Sequence, residues 1–464
     1  MTAPIKSGAA PDTPASAPSS QPGGHRSYRD DAAHPDLLKV GRLPIHFFTT
    51  AVISFACGAA AAPFLIGQIV DFFYQPPILA LVHTFTLGWI TASIMGVMYR
   101  YVPALTRHPI SYPRVARWQL ALFIIGTIGI VSHFVNGIWV GTWFSAGILI
   151  VSVAMFAANM IPCLYPHLGR GVAETGMFLS ICFLFVAGSI GFVLSLDKTY
   201  DFLGGDVLTN LASHMHFAAV GWVTLTICAV SYRMIPAFLL PTIHLPKSAM
   251  WQLWALASGA IALGVTLLLG LPGAIFWSFA IAAALLAYMI TIGRLVRSRR
   301  MPIDFTARHA MAGIIWLVLA IVFGLILAVT GPQSLEGSRI ASAYGAMGLL
   351  GWISNFIIGM SYQLFPGFVM HARSAAGWRV VTIAELSIKR PRWLVFITYN
   401  AGVALLIAGF MFSWVALAQV GAVAIALGGL IYSAMTFWTL SFAYRKAVPH
   451  AANSPLRVLP DQRG

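Results

Sequence analysis

The sequence predicts an all-α integral membrane protein, with twelve transmembrane helices in three pseudo-symmetric four-helix arcs and both termini in the cytoplasm. Three observations lead to this fold class: an apolar composition, a series of membrane-length apolar segments, and an internal threefold repeat. Of the 464 residues, 59% are apolar and only 9% are charged. Because a soluble domain carries about 25% charged residues, the composition excludes an ordinary soluble enzyme.

Twelve apolar segments have the length of about 20 residues that crosses a bilayer. Residues 1–42 precede them, are rich in Pro, Ala, Ser and Gly, and predict a disordered cytoplasmic tail. Residues 43–446 are expected to form the membrane domain, and residues 447–464 a second cytoplasmic tail. The predicted spans, numbered 1 to 12 in order, are 46–70, 78–102, 118–139, 143–165, 174–196, 208–238, 250–271, 274–294, 309–330, 339–368, 393–413 and 418–444.

The distribution of basic residues supports this topology. With a cytoplasmic N-terminus, all but two of the 28 Lys and Arg residues fall in inner segments, and the exceptions are Lys198 and Arg339. Basic residues collect on the cytoplasmic side of membrane proteins. The net charge of +15 is therefore a topology signal, and we expect a lipid bilayer as the partner and no nucleic acid. The expected location is the inner (plasma) membrane, as a multi-pass protein.

Spans 2, 6 and 10 repeat one pattern: Gly-Trp, then Tyr eleven residues after the Gly, then Pro four residues later. The spacing between copies is four spans each time, which predicts three units in parallel around an axis along the membrane normal. Small residues allow close approach of membrane helices, so Gly-Trp is interpreted either as packing alone or as packing beside a slot for a ring-shaped ligand. The repeated pairs are Gly88-Trp89, Gly221-Trp222 and Gly351-Trp352.

Four histidines share one depth near the outer ends of the spans, whereas the others lie in tails, on the cytoplasmic side or at inner span ends. Ionisable groups in a membrane mark functional sites, and imidazole is an axial ligand of haem iron. His214 and His216 are two residues apart, so span 6 can present a ligand to each of two adjacent slots. The four are His83, His133, His214 and His216.

These positions define the predicted site. No catalytic residue is assigned. The candidate metal ligands are the four histidines above. The candidate cofactor-binding residues are His83, His214, His216, Trp89, Trp222, Gly88 and Gly221.

With these residues the sequence resembles subunit I of the haem-copper oxidases, and is most similar to the cbb3-like and nitric-oxide-reductase-like members. The resemblance implies a haem b (iron) held by His83 with His216 or His214. It also implies an oxidoreductase of the cytochrome oxidase or nitric oxide reductase type, acting in electron transfer, respiration or O2/NO handling. Other respiratory subunits or a c-type cytochrome donor are the implied partners. A twelve-helix haem protein family of the nitric oxide response is a second likeness.

The sequence departs from the family pattern in two places. The family carries its paired histidines on span 10 and two copper ligands on span 7, and neither span contains a histidine here. The resemblance therefore implies haem without a full oxygen-reducing haem-copper centre. Two alternatives stay open: a copper-handling or small-molecule transport protein without haem, and a structural bundle that packs a partner subunit.

Overall fold

The computed structural model describes residues 40–204, 206–388 and 391–446, and this part of the chain is helical with no strand. Twelve of its helices are long and apolar enough to cross a membrane, which confirms the predicted number. Their bounds, labelled α1 to α12, are Leu43–Val70, Pro76–Thr106, Pro113–Val135, Thr142–His167, Val172–Tyr200, Val207–Leu239, Ser248–Leu268, Ala274–Arg297, Phe305–Thr330, Leu335–Ala375, Arg392–Met411 and Val415–Ser441.

The predicted tails lie outside the described residues, apart from residues 40–42. With an even number of spans, α1 begins and α12 ends at the same face of the bundle. Of the described Lys and Arg residues, nearly all lie toward this face, and we call it the basic face. The other face carries the predicted histidines.

Local sequence sets where the helices begin. Asp206 and Asp304 precede α6 and α9, and each accepts a hydrogen bond from a backbone N–H in the first turn. Ser334 does the same for α10. Such caps satisfy amides that have no partner inside the helix. The cap at Asp304 starts α9 at Phe305, four residues before the predicted start of span 9.

The helices α2, α6 and α10 form the interior of the bundle. Between 67% and 72% of their membrane-length windows is buried, against 17% to 50% for the other nine spans. The chain closes into a ring because α12 packs against both α11 and α1. The repeated sequence therefore lies on the inner helices of the bundle.

Each inner helix contains one π-helical segment, at Thr84–Thr91, Phe217–Thr224 and Met347–Ser354. A π-helix is wider than an α-helix, is rare, and often occurs at functional sites. All three segments contain the repeated Gly-Trp, and the segment of α10 contacts the other two. The repeat thus corresponds to a shared backbone irregularity as well as to shared side chains.

The repeated glycines allow each inner helix to approach the first helix of its own unit. A Cβ added to Gly88, Gly221 or Gly351 would collide with Ser54 of α1, Phe183 of α5 or Trp316 of α9 respectively. The packing interpretation of these glycines therefore has direct structural support.

Substitution of one of these glycines tests the packing. Gly351→Ala should destabilise the protein by about 1–3 kcal/mol, because overpacking forces neighbouring side chains to move. Gly348→Ala in the same π segment is the matched control, since nothing lies within 4 Å of its Cβ position. It should be neutral or stabilising by up to about 1 kcal/mol. Thermal unfolding of the purified variants measures both, and equal losses of stability would contradict this role for Gly351.

Candidate functional site

His83 and His216 end the α-helical part of α2 and α6, directly before the π segment. The Nδ1 atom of His83 lies 2.7 Å from the carbonyl oxygen of Leu79, and that of His216 lies 2.7 Å from the carbonyl oxygen of Ala212. A carbonyl oxygen only accepts hydrogen bonds, so Nδ1 carries the hydrogen and Nε2 keeps its lone pair. Metal-ligating histidines typically have this arrangement.

His214 makes the same kind of hydrogen bond to a different helix. Its Nδ1 donates to the carbonyl oxygen of Ala187 on α5, at 3.0 Å. The ring lies over Gly191, where an added Cβ would stand 2.9 Å from Cε1. His214 is also close enough to His83 for the two imidazoles to interact electrostatically. The structure therefore brings His83 of α2 and His214 of α6 together beside α5.

His216 points toward α10 instead. Its Nε2 lies 3.4 Å from the hydroxyl of Tyr344, and the two rings are stacked with centroids 6.3 Å apart. The neighbouring histidines of α6 thus face two different helices, as their spacing of two residues predicts. Of the two partners left open for His83, His214 is the one with an electrostatic interaction with it, and the ligand assignment stays a prediction.

The packing is loose near both pairs of residues, His83 with His214 and His216 with Tyr344. Every residue of α5 from 188 to 199 is partly exposed, so no face of this stretch is fully packed. On α10, the Cβ positions of Gly345 and Gly348 have nothing within 4 Å. Interiors of helix bundles are close-packed, so these stretches of α5 and α10 are packed more loosely than the core of the bundle.

Two cationic side chains lie at the face of the bundle opposite the basic face. Lys198, near the end of α5, places Nζ 5.0 Å from the ring centre of Tyr74 and 5.3 Å from that of Trp139. Arg339, near the start of α10, has a buried Nε with no hydrogen-bond partner. An orphaned guanidinium nitrogen fits a site whose ligand supplies an anionic group.

The remaining predicted ligand, His133, lies in the last turn of α3. Its Nδ1 donates to the carbonyl oxygen of Ile138, at 3.2 Å, in the turn that leads to α4. This hydrogen bond therefore joins His133 to its own turn and not to another transmembrane helix. Within the described ranges, no three His, Cys, Asp or Glu side chains come together in a group that could hold a metal ion. Axial ligation of a haem iron needs no such group.

The tryptophans of the repeat are buried, with Trp89 at 0% and Trp222 and Trp352 at 1% exposure. Two of them connect the inner helices to one another. Trp222 Nε1 of α6 donates to Thr91 Oγ1 of α2, at 3.1 Å, and Trp352 Nε1 of α10 donates to Thr224 Oγ1 of α6, at 3.2 Å. The contacts of Trp222 are therefore those of a central packing residue, and its role beside a cofactor stays a prediction.

Sequence reasoning missed two buried histidines, His309 on α9 and His371 on α10. The predicted spans put both at or beyond the cytoplasmic end of a helix. Their side chains are nevertheless buried, with exposures of 0% and 2%. The cap at Asp304 was the available signal for His309, because it starts the helix earlier and draws His309 into the bundle.

No family model matches the chain, and no curated protein matches it. Among solved structures, the chain is similar to the cryo-EM structure of a heme-copper terminal oxidase dimer. The TM-score is 0.61 and the sequence identity 13%, with coverage of 88% of this chain and 85% of that chain. At this identity the likeness shows the fold: this chain has an all-helical membrane fold similar to that of a heme-copper oxidase. The cbb3-like subtype stays a prediction.

The Trp–Thr hydrogen bonds can be tested separately from any ligand. Thr224→Val should destabilise the protein by about 1–3 kcal/mol, because it leaves the buried Trp352 N–H without an acceptor. Thr224→Ser keeps the hydroxyl and is the matched control. Thermal unfolding in detergent compares the two, and a valine variant as stable as the serine variant would contradict the importance of this hydrogen bond.

Proposed function

We propose that the chain is a membrane-embedded haem b protein that acts in electron transfer or in O2/NO handling. One observation carries the proposal: His83 and His214 approach each other from α2 and α6, and a backbone carbonyl fixes each ring with Nε2 available. The fold similarity to a heme-copper terminal oxidase supports the same class of function.

The residues present fit a haem. Iron needs neutral imidazole nitrogens with lone pairs, and the hydrogen bonds at Nδ1 of His83 and His214 provide them. Haem also carries carboxylate groups, for which Lys198 and the unpartnered Arg339 Nε are the cations at this face. Gly191 leaves room for the His214 ring itself, since an added Cβ would collide with Cε1. When bound, the haem would supply a one-electron iron centre whose potential depends on its axial ligands and burial.

We assign different roles to the two sides of α6. His83 and His214 together would hold the haem iron, which would serve electron transfer. His216 has a tyrosine, Tyr344, where a second imidazole would otherwise stand. A single imidazole leaves a coordination position open, so we place O2 or NO handling on the His216 side.

The basic face is proposed to be cytoplasmic, in an inner (plasma) membrane, in accord with the distribution of Lys and Arg. The histidines then lie toward the outer face of the membrane. A c-type cytochrome or another respiratory subunit on that side is the partner we propose as electron donor.

Histidine variants test the ligand assignment. His83→Ala and His214→Ala should each abolish the low-spin haem signal, because each removes one axial ligand of the same iron. His216→Ala should keep that signal, and His133→Ala is the control outside the proposed site. The haem-to-protein ratio and the absorption spectrum of each purified variant give the result. Full low-spin haem in the His83 and His214 variants would overturn the assignment, and loss in His216→Ala alone would move it to His216.

Metal content separates haem from copper handling. Purified protein should contain iron with little copper, since the described residues show no cluster of three metal ligands. Elemental analysis of protein expressed with both metals supplied measures this. Copper in a one-to-one ratio with protein would contradict the proposal and favour the copper-handling alternative.

A further inference from the structure

A second cluster of buried polar side chains lies between α9, α10 and α11, in the half of the bundle toward the basic face. His309 Nδ1 lies 2.8 Å from Asn355 Oδ1. The amide nitrogen of Asn355 donates to the carbonyl oxygen of Gly351, at 2.8 Å, and to Asn400 Oδ1, at 3.0 Å. Because Oδ1 of Asn355 accepts, His309 Nδ1 carries the hydrogen and Nε2 carries the lone pair.

Three polar atoms in this region have no partner. His309 Nε2, Tyr362 OH and Thr306 Oγ1 are all buried and without a hydrogen bond. His309 and Thr306 both pack against Gly359, and the rings of His309 and Tyr362 have centroids 5.9 Å apart. Burying a polar group without a hydrogen bond is costly, so three such atoms in one locality need a shared explanation.

The repeated tyrosine shows that the arrangement is particular to this unit. Tyr99 OH donates to Gln119 Oε1, at 3.2 Å, and Tyr232 OH donates to Gln252 Oε1, at 2.9 Å. Each glutamine follows its tyrosine by 20 residues.

The corresponding tyrosine of the third unit, Tyr362, has Thr382 at that distance in the chain, in the loop before α11. In the first unit the rings beside the tyrosine are those of Phe47 and Phe156, each with its centroid 5.4 Å away. Here the neighbouring rings are those of His309 and Tyr432. The third unit has therefore lost the glutamine partner and has gained an imidazole.

The cluster borders a pocket near the basic face. The pocket is lined by Tyr362, by Arg392 of α11 and by loop residues such as Ile388. The Arg392 guanidinium lies 4.6 Å from the centre of the Tyr362 ring. Tyr362 thus stands between His309 and this pocket.

We propose that His309 Nε2, Tyr362 OH and Thr306 Oγ1 bind ordered water and form a proton-binding site that is filled from the basic face through this pocket. Buried water typically satisfies such orphaned polar groups. A hydronium ion would transfer its proton to His309 Nε2 and become water. The Nδ1–H group of His309 would keep its hydrogen bond to Asn355 Oδ1. The charged and titratable groups around the site are Tyr362 of α10, Tyr432 of α12, Arg392 of α11 and Asp304 at the start of α9. The Asp304 carboxylate accepts a hydrogen bond from Gln363 of α10.

Deuterium exchange at the imidazole carbon Cε1, followed by mass spectrometry, tests water access to each histidine of the full chain. In buffered D2O, His309 should exchange despite its burial, more slowly than the exposed His108. A site sealed from water would show no exchange at His309 while His108 exchanges fully, and this result would overturn the proposal. The measurement needs no haem, so its failure is distinct from failure of the haem assignment.

Tyrosine variants locate the route. Tyr362→Phe removes a hydroxyl of the proposed water site and should slow exchange at His309 several-fold. Tyr99→Phe is the matched control, because that hydroxyl already has Gln119 as its partner, and it should leave the His309 rate unchanged. Equal His309 rates in both variants would contradict the assignment of Tyr362. If Tyr362→Phe fails to fold, the wild-type rate alone still decides whether water reaches His309.

Discussion

The contact between the three inner helices at their π segments is the constraint on which the rest of the structure depends. Trp222 and Trp352 each donate an indole hydrogen bond to a threonine of the neighbouring inner helix, while the repeated glycines let the outer helices close in behind them. This fixes the rotation and depth of α2, α6 and α10. Because His83 and His216 directly precede the π segments, that contact also fixes where the candidate ligands stand.

The polar side chains of the bundle divide into two groups at opposite halves of the membrane. Toward one face, three histidines have Nδ1 on a carbonyl oxygen. Nε2 of His83 and His214 is available for a ligand, whereas that of His216 lies against the Tyr344 hydroxyl. Toward the basic face, His309 has the same protonation pattern, held by Asn355, but its Nε2 has no hydrogen-bond partner among the described residues and the neighbouring ring is that of Tyr362. The same imidazole chemistry thus suits iron at one half and water at the other, because the neighbouring groups differ.

The sequence predicted the twelve spans well because length and hydropathy dominate the cost of crossing a bilayer. It also placed three histidines at one depth, from their positions relative to the repeated Gly-Trp. It could not decide between His214 and His216 as the neighbour of His83. The π segments rotate the helix by an amount that regular α-helical periodicity does not give. In addition, contacts between helices, such as that of Tyr344 with His216, cannot be read from the spacing of residues along the sequence. The burial of His309 was missed because the predicted span began at that residue instead of at the cap formed by Asp304.

The central claim is that His83 and His214 hold a low-spin haem b between α2 and α6. The most direct test is the reduced-minus-oxidised absorption spectrum of the purified wild-type protein, expressed with sufficient haem, together with a pyridine extract that types the haem. We expect a sharp low-spin b-type band in this spectrum. A colourless protein, or one that binds haem without a low-spin signal, would contradict it.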